Sequence, residues 1–336
     1  MVRAEQVVAE ERAAAGPRSG GRARASGGGR AKGRPPGRRP PVALLAAFIL
    51  PALALYTVFI IYPLFSALQY SLFTWEGTRQ AGFAGLDNFT RLFSGVYAER
   101  FWRAFGHNGL FFLGTMAVQT TLGLAFAVLL HRSRFGKRFL QTAYTLPYLV
   151  SPIVVGYLWS LMLSPQFGAV NEALRAVGLD ALAQPWTGDP QLALPTLILV
   201  NTWQWIGFPM LLFSAALAGI PEEYAEAART DGASGARVFW HVTLPLLLPA
   251  IGIVSVLTFI GNMNVLDLVY AMQGSQGAPA GATDVLGLLF YRTAFQNPDL
   301  NAIGQSSALA VVMFVFIFGV SIVATRVLRR AEERLR

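Results

Sequence analysis

The chain has 336 residues, of which 54% are hydrophobic and only 13% charged, a balance that suits a bilayer better than water. It contains no cysteine, which excludes disulfides, thiolate metal ligands and thiol nucleophiles, and His107, His131 and His241 are too scattered to make a metal site. The net charge of +9 raises nucleic-acid binding, but ten of the 27 basic residues precede Pro41, outside any apolar segment. Neither a metal, a cofactor nor a specific nucleic-acid partner is expected.

Residues 1–41 are rich in Gly, Arg, Ala and Pro without apolar periodicity, so they cannot bury enough surface to offset their ordering entropy. A disordered basic tail is predicted, solvated or touching anionic lipid. From Val42 the chain becomes a series of long apolar stretches, each near the ~20 residues that cross a hydrocarbon core as helix. Six are expected: residues 42–62, 108–130, 139–163, 192–217, 246–272 and 305–328. Runs this long and non-alternating argue for helices over a barrel, giving an all-α, six-span membrane domain over residues 42–336. Prolines 51, 147, 152, 195, 209 and 249 lie inside these runs and predict kinks.

Of the 27 basic residues, 21 fall in the tail, in 132–138, at Arg229 and Arg237, or from Arg326 onward, and six fall in the three intervening connections. The positive-inside rule then places both termini in the cytoplasm of a bacterial cell, with three connections of about 30 residues outside. Asn88-Phe89-Thr90 reads as a chance sequon.

No nucleotide-binding or metalloprotease motif occurs, so the chain is not expected to be an enzyme. The most informative segment is 221–245, between the fourth and fifth spans. Pro221 suits a first helical position, and Glu222 and Glu223 favour the positive end of the helix dipole. Gly232 permits a left-handed turn, Asp231 can cap a second helix, Val238, Phe239 and Val242 give that helix an apolar face, and Pro245 is expected to stop it. A short, rigid cytoplasmic knob follows.

Glu226, Ala227, Ala228, Asp231, Gly232, Ala233, Phe239, Leu244, Pro245 and Pro249 stand at the spacing of the EAA loop, and the segment resembles that of type I ABC importer permeases. The resemblance implies a coupling helix seated on a cytoplasmic ABC ATPase dimer. It also implies a second homologous permease and an extracytoplasmic solute-binding protein as partners. Gly85 to Phe89, Phe101 to Ala104 and Asp267 to Met272 are similar to the maltose and glycerol-phosphate type of carbohydrate permease. There the Gln273 to Thr283 turn departs from the family by being longer.

Polar groups at bilayer depth are expensive and by default functional hypotheses. Asn201, Trp203, Gln204 and Trp205 in the fourth span, Asn262, Asn264 and Asp267 in the fifth, and Gln119 in the second are the candidates for a solute path. Amides and aromatic rings are what hydroxyl-rich, weakly charged ligands need. The alternative for each is a hydrogen bond between helices. The expected function is inward passage of a sugar by ATP-driven alternating access. One rival is a self-sufficient ion-coupled carrier, for which a lone Asp267 is thin support; a nucleic-acid adaptor rests on the tail alone.

Overall fold

The computed structural model describes residues 42–133 and 136–335; the basic tail expected over 1–41 lies outside the described residues. The chain divides into two compact units at Leu55 and Tyr56. The first carries helix α1 (Val42–Tyr56), whose sequence is apolar on every side and includes Pro51. Phe48, Ile49, Leu50, Leu53 and Leu55 are all exposed, as for a helix whose surroundings are hydrocarbon.

The second unit opens with a π-turn (Thr57–Ile61) and α2 (Tyr62–Ser71), followed by a β-hairpin, β1 (Phe73–Glu76) and β2 (Arg79–Phe83), joined at Gly77. This hairpin was not expected from the apolar pattern. Next come α3 (Asp87–Leu92), α4 (Gly95–Thr115), a π-turn (Met116–Thr120) and α5 (Thr121–Arg132). Asn88 is buried, its amide donating to the carbonyls of Ser71 and Phe73 while its oxygen accepts from Asn301. The sequon is therefore a structural clamp that fixes the hairpin to the last helix.

Among the described residues, four helical stretches are long and apolar enough to cross a membrane: Ala46–Ser71, Gly95–His131, Gly235–Met263 and Ala302–Arg330. The remaining two expected spans are broken, which corrects the reading of both as continuous. The third consists of α6 (Lys137–Thr145), a 3-10 turn (Leu146–Leu149) and α7 (Pro152–Met162), bent by 96°. The fourth is α9 (Ala193–Trp205) and α10 (Gly207–Ala218), bent by 46°; α8 (Ala169–Ala176) lies in the connection before it. The prolines explain the pattern. Pro147, Pro152, Pro195 and Pro209 each stand in the first turn of a helical piece, where the missing N–H has no intrahelical partner to lose.

The fifth span also ends early. Helix α13 (Leu244–Met263) stops at Asn264, and the expected continuation is a separate helix, α14 (Asp267–Gln273). Helices α15 (Leu286–Phe295) and α16 (Ala302–Leu335) complete the chain.

The packing explains where the bends sit. At the fourth-span bend, a Cβ added to Gly207 would lie 2.5 Å from the Tyr144 carbonyl oxygen, so only glycine lets α10 touch the end of α6. Likewise a Cβ at Gly156 would lie 2.6 Å from that of Ala271, where α7 packs on α14. Phe111, Val155, Leu197, Val200, Leu268, Val269 and Leu288 fill the apolar cluster around these elements. A second cluster, with Met210, Phe213, Leu247 and Val254, ties α10 to α5 and α13.

Candidate functional site

Two regions carry the predicted site residues. The first is helix α11 (Glu222–Thr230) and the turn after it. Pro221 precedes the helix, with Glu222 and Glu223 in its first turn and Arg229 in its last, all favourable to the dipole. At its C-terminus Gly232 has φ +83°, with its N–H donating to the Arg229 carbonyl at 3.0 Å and the Ala233 N–H reaching back to Ala228 at 2.9 Å. This is a Schellman turn, which requires a residue that tolerates positive φ.

Two local expectations need correction. Ser234, not Asp231, caps the next helix, α12 (Gly235–Val238), its hydroxyl accepting from the Arg237 N–H at 3.4 Å. Nor does Pro245 stop that helix: the chain runs through a π-turn (Phe239–Thr243) directly into α13, making one stretch from Gly235 to Met263. The widened turn accommodates the proline, which would otherwise clash with a carbonyl one turn back. Val238 is buried and Phe239 and Val242 are half-buried, as expected of the apolar face.

Glu226, Ala227, Asp231 and Gly232 are exposed, Ala228, Ala233, Leu244 and Pro245 half-buried. The short helix packs against the Phe239–Thr243 turn, which fixes its direction relative to the fifth span. Tyr224 and Trp240, 55% and 61% exposed, add two aromatic surfaces that the motif alone did not single out.

The second region is a cavity of about 590 Å³ bounded by the broken spans. It brings together Gln119, Asn201, Trp205, Asn262, Asn264 and Asp267, which lie far apart in sequence. Tyr148 and Phe208 were not foreseen; with Trp205 they form an aromatic wall, Tyr148 lying 5.1 Å from the Trp205 ring and 5.9 Å from Phe208. The signal for Tyr148 was present in the pair Pro147 and Pro152, which interrupt an apolar run. Among the described residues, no lysine or arginine lines the cavity.

Trp203 and Gln204 do not reach it. Trp203 is 42% exposed and packs edge-on against Trp159, on another face of α9. Gln204 is fully buried and donates to the Val150 carbonyl at 3.0 Å, satisfying the backbone where the third span breaks. Gln119 does similar work, donating to the Trp205 carbonyl at 3.4 Å beside the fourth-span bend.

The remaining candidates keep capacity for a ligand. Asn201 is 6% exposed and makes no side-chain hydrogen bond among the described residues. The amide nitrogen of Asn262 is buried with no partner among the described residues, and Asp267 opens α14 at the gap in the fifth span. Asn264 donates to the Ile260 carbonyl at 2.8 Å, leaving its oxygen available. Non-helical backbone at bilayer depth is tolerated where it is buried in protein or lines a cavity, and residues 264–266 line this one.

Apolar broken spans around an amide and aromatic cavity, with an acidic helical turn leading into the fifth, define a membrane permease. Residues 119–335 match the binding-protein-dependent transport system inner membrane component family, and the chain belongs to it. Over 289 residues it is 30% identical to the probable ABC transporter permease protein YurN of Bacillus subtilis, covering 85% of this chain and 96% of that one. The trehalose/maltose transport system permease protein MalF of Thermococcus litoralis is 32% identical over 83% of this chain and 91% of its own length. Among solved structures, a chain of a bacterial alginate ABC transporter, in complex with its alginate pentasaccharide-bound periplasmic protein, shares the fold with a TM-score of 0.71. It is 24% identical, and the match covers 86% of this chain and 94% of that one.

Proposed function

We propose that this permease passes a sugar or a similar polar, uncharged solute inward, driven by a separate cytoplasmic ATPase dimer. The observation that carries the reading is the cavity's chemistry. The side chains of Asn201 and Asn262 and the oxygen of Asn264 can pair with hydroxyls, the Tyr148, Trp205 and Phe208 rings suit the apolar face of a pyranose, and no cation among the described residues lines the cavity to hold a phosphate. The relative named for trehalose and maltose supports the same solute class.

Asn264 and Asp267 are exposed on the isolated chain, and polar groups at that depth need cover from lipid. A second, homologous permease supplies it in this reading, so that the path lies between two subunits. An extracytoplasmic binding protein delivers solute to the outer connections. Closure of the ATPases, felt through residues 221–245, switches the cavity from one side of the membrane to the other. The domain assignment, with a solvated basic tail over 1–41 and a permease domain from 42, belongs to the same proposal.

The test is uptake of labelled sugars by cells carrying the transporter, compared with a sugar phosphate and an amino acid. Asn201→Ala, Asn262→Ala and Asp267→Ala should each raise KM about two- to tenfold, the equivalent of one ligand hydrogen bond at ~0.5–1.5 kcal/mol. Unchanged kinetics in all three would reassign these groups to helix contacts, and uptake of the phosphate alone would exclude the sugar reading. The orientation is checked separately, because the chain has no native cysteine. A single Cys at exposed Ser94 or Gln166 should react with an impermeant thiol reagent on intact cells, and one at Ser234 should not. The reverse pattern overturns the cytoplasmic placement of the coupling loop.

A further inference from the structure

Thr258 stands one turn before Asn262 on α13 and lines the same cavity. A threonine or serine in an apolar helix commonly returns its hydroxyl to the carbonyl four residues back, which occupies its proton. Several helical residues of this chain do so: Ser255 donates to Ile251 at 2.7 Å, Thr293 to Leu289 at 2.8 Å and Thr325 to Ser321 at 2.7 Å. Thr258 does not. It is 8% exposed, and its Oγ1 is buried with no partner among the described residues.

Two further orphaned atoms belong to side chains lining the cavity. Gln119, 3% exposed, has its nitrogen committed to the Trp205 carbonyl and keeps a buried Oε1 without a partner among the described residues. Asn262, 5% exposed, keeps its Nδ2 in the same condition. The three comprise one acceptor, one donor and one hydroxyl that serves as either. Unpaired polar groups at bilayer depth are expensive, and a ligand that completes them accounts for their retention. The aromatic wall comes from the third and fourth spans, whereas these three groups come from the second and fifth, so stacking and hydroxyl reading fall to different elements. Four residues of helix separate Thr258 from Asn262 by ~6 Å, enough to reach two positions of one sugar ring. Rotation about the Thr258 Cα–Cβ bond exchanges its methyl and hydroxyl and gives up no hydrogen bond, so the hydroxyl is free to turn to a solute.

We propose that Thr258 is a specificity-determining residue, whose hydroxyl pairs with a ring hydroxyl of the solute alongside Gln119 Oε1 and Asn262 Nδ2. The inference rests on the sugar reading above and narrows it to sugars that keep those hydroxyls, against their deoxy analogues. A site built to hydrogen-bond a hydroxyl rejects the analogue lacking it, because its own buried groups are then left unpaired.

The experiment measures uptake of labelled D-glucose, maltose and trehalose by cells carrying the whole transporter, then of the monodeoxy derivatives of whichever sugar enters. Wild type should take up the parent sugar at least about tenfold better than one of those derivatives. Thr258→Val should raise KM for the parent about fivefold and leave that for the derivative within about twofold, so that the preference collapses. Thr258→Ser, which keeps the hydroxyl, should restore it. The thermal unfolding midpoint of the purified, solute-free permease gives a second readout. Valine has the shape of threonine, so removing an orphaned hydroxyl should leave the midpoint equal or higher, whereas removing one bonded within the protein lowers it. A midpoint lowered by several degrees in Thr258→Val overturns the proposal, as does an unchanged KM for the parent sugar or a preference that valine leaves intact. If wild-type cells take up none of the three sugars, the sugar reading fails and this inference falls with it. If they take one up and valine changes nothing, this inference fails alone.

Discussion

Replacing Gly232 by valine is expected to abolish solute uptake while leaving the permease inserted in the membrane. Gly232 holds φ +83°, and a Cβ placed there would meet no atom within 4 Å. The cost of substitution is therefore conformational, not steric crowding by neighbours. A non-glycine residue in the left-handed region costs roughly 1 kcal/mol or more, and a β-branched one stands at the upper end. The chain escapes that cost by giving up the Schellman turn, losing the Ala233 to Ala228 bond and changing the angle between α11 and the fifth span. Insertion is indifferent to the change because the loop lies outside the apolar stretches. Docking is not. Co-purification of the ATPase should fall at least tenfold with uptake in the same cells, whereas Gly232→Asn, which tolerates positive φ, should retain much of both. Glu226→Lys should act like valine by another route, reversing one of four carboxylates exposed on the knob (Glu222, Glu223, Glu226 and Asp231). If Gly232→Val and Glu226→Lys bind ATPase and transport like wild type, the coupling reading fails and an ion-coupled carrier gains.

The contrast between this loop and the solute path shows what the sequence makes legible. The loop's turn depends on neighbours within six residues, so Gly232 could be placed in a left-handed conformation from local rules alone. The path depends on where helices break. Pro147, Pro152, Pro195 and Pro209 announced irregularity but not its form, since a proline in an apolar run either kinks a continuous helix or starts a new one. The structure uses all four as starts, and two expected spans become bent pairs. That choice decides which amides are free. Gln204 and Gln119 read from sequence as ligand groups equal to Asn201, yet the amide nitrogen of each is committed to a carbonyl left open at the breaks. The end of the fifth span followed the same logic: an apolar count carried it to residue 272, whereas the gap at 264–266 gives Asp267 a helix start of its own. Periodicity cannot report tertiary satisfaction of a backbone group. The β-hairpin escaped notice because its strands are short and β2 is exposed throughout.

The largest expected effect on the path itself comes from a residue outside the cavity lining, Asn108. It is fully buried on α4 and bridges two distant elements: its Nδ2 donates to the Asn262 carbonyl at 2.7 Å, and its Oδ1 accepts from the Leu286 N–H at 2.7 Å. Both partners are end groups, the carbonyl in the last turn of α13 and the N–H at the start of α15, and neither has an intrahelical partner. Asn108→Leu keeps the number and branching of the side-chain heavy atoms, so the two orphaned backbone groups dominate the outcome. Each buried, unsatisfied group costs about 1–3 kcal/mol. An ordinary intramembrane side-chain bond is worth about 0.6 kcal/mol, because the membrane-inserted unfolded chain finds other partners. The larger figure should apply here, since main-chain groups at helix ends have few alternatives once the bundle has closed around them. The variant should lower the thermal unfolding midpoint in detergent by several degrees. It should also raise KM for uptake at least tenfold in the protein that remains folded, because Asn262 loses its fixed position at the cavity. A leucine variant with the midpoint and KM of wild type would show that the bridge is incidental and that the gap in the fifth span holds its shape without it.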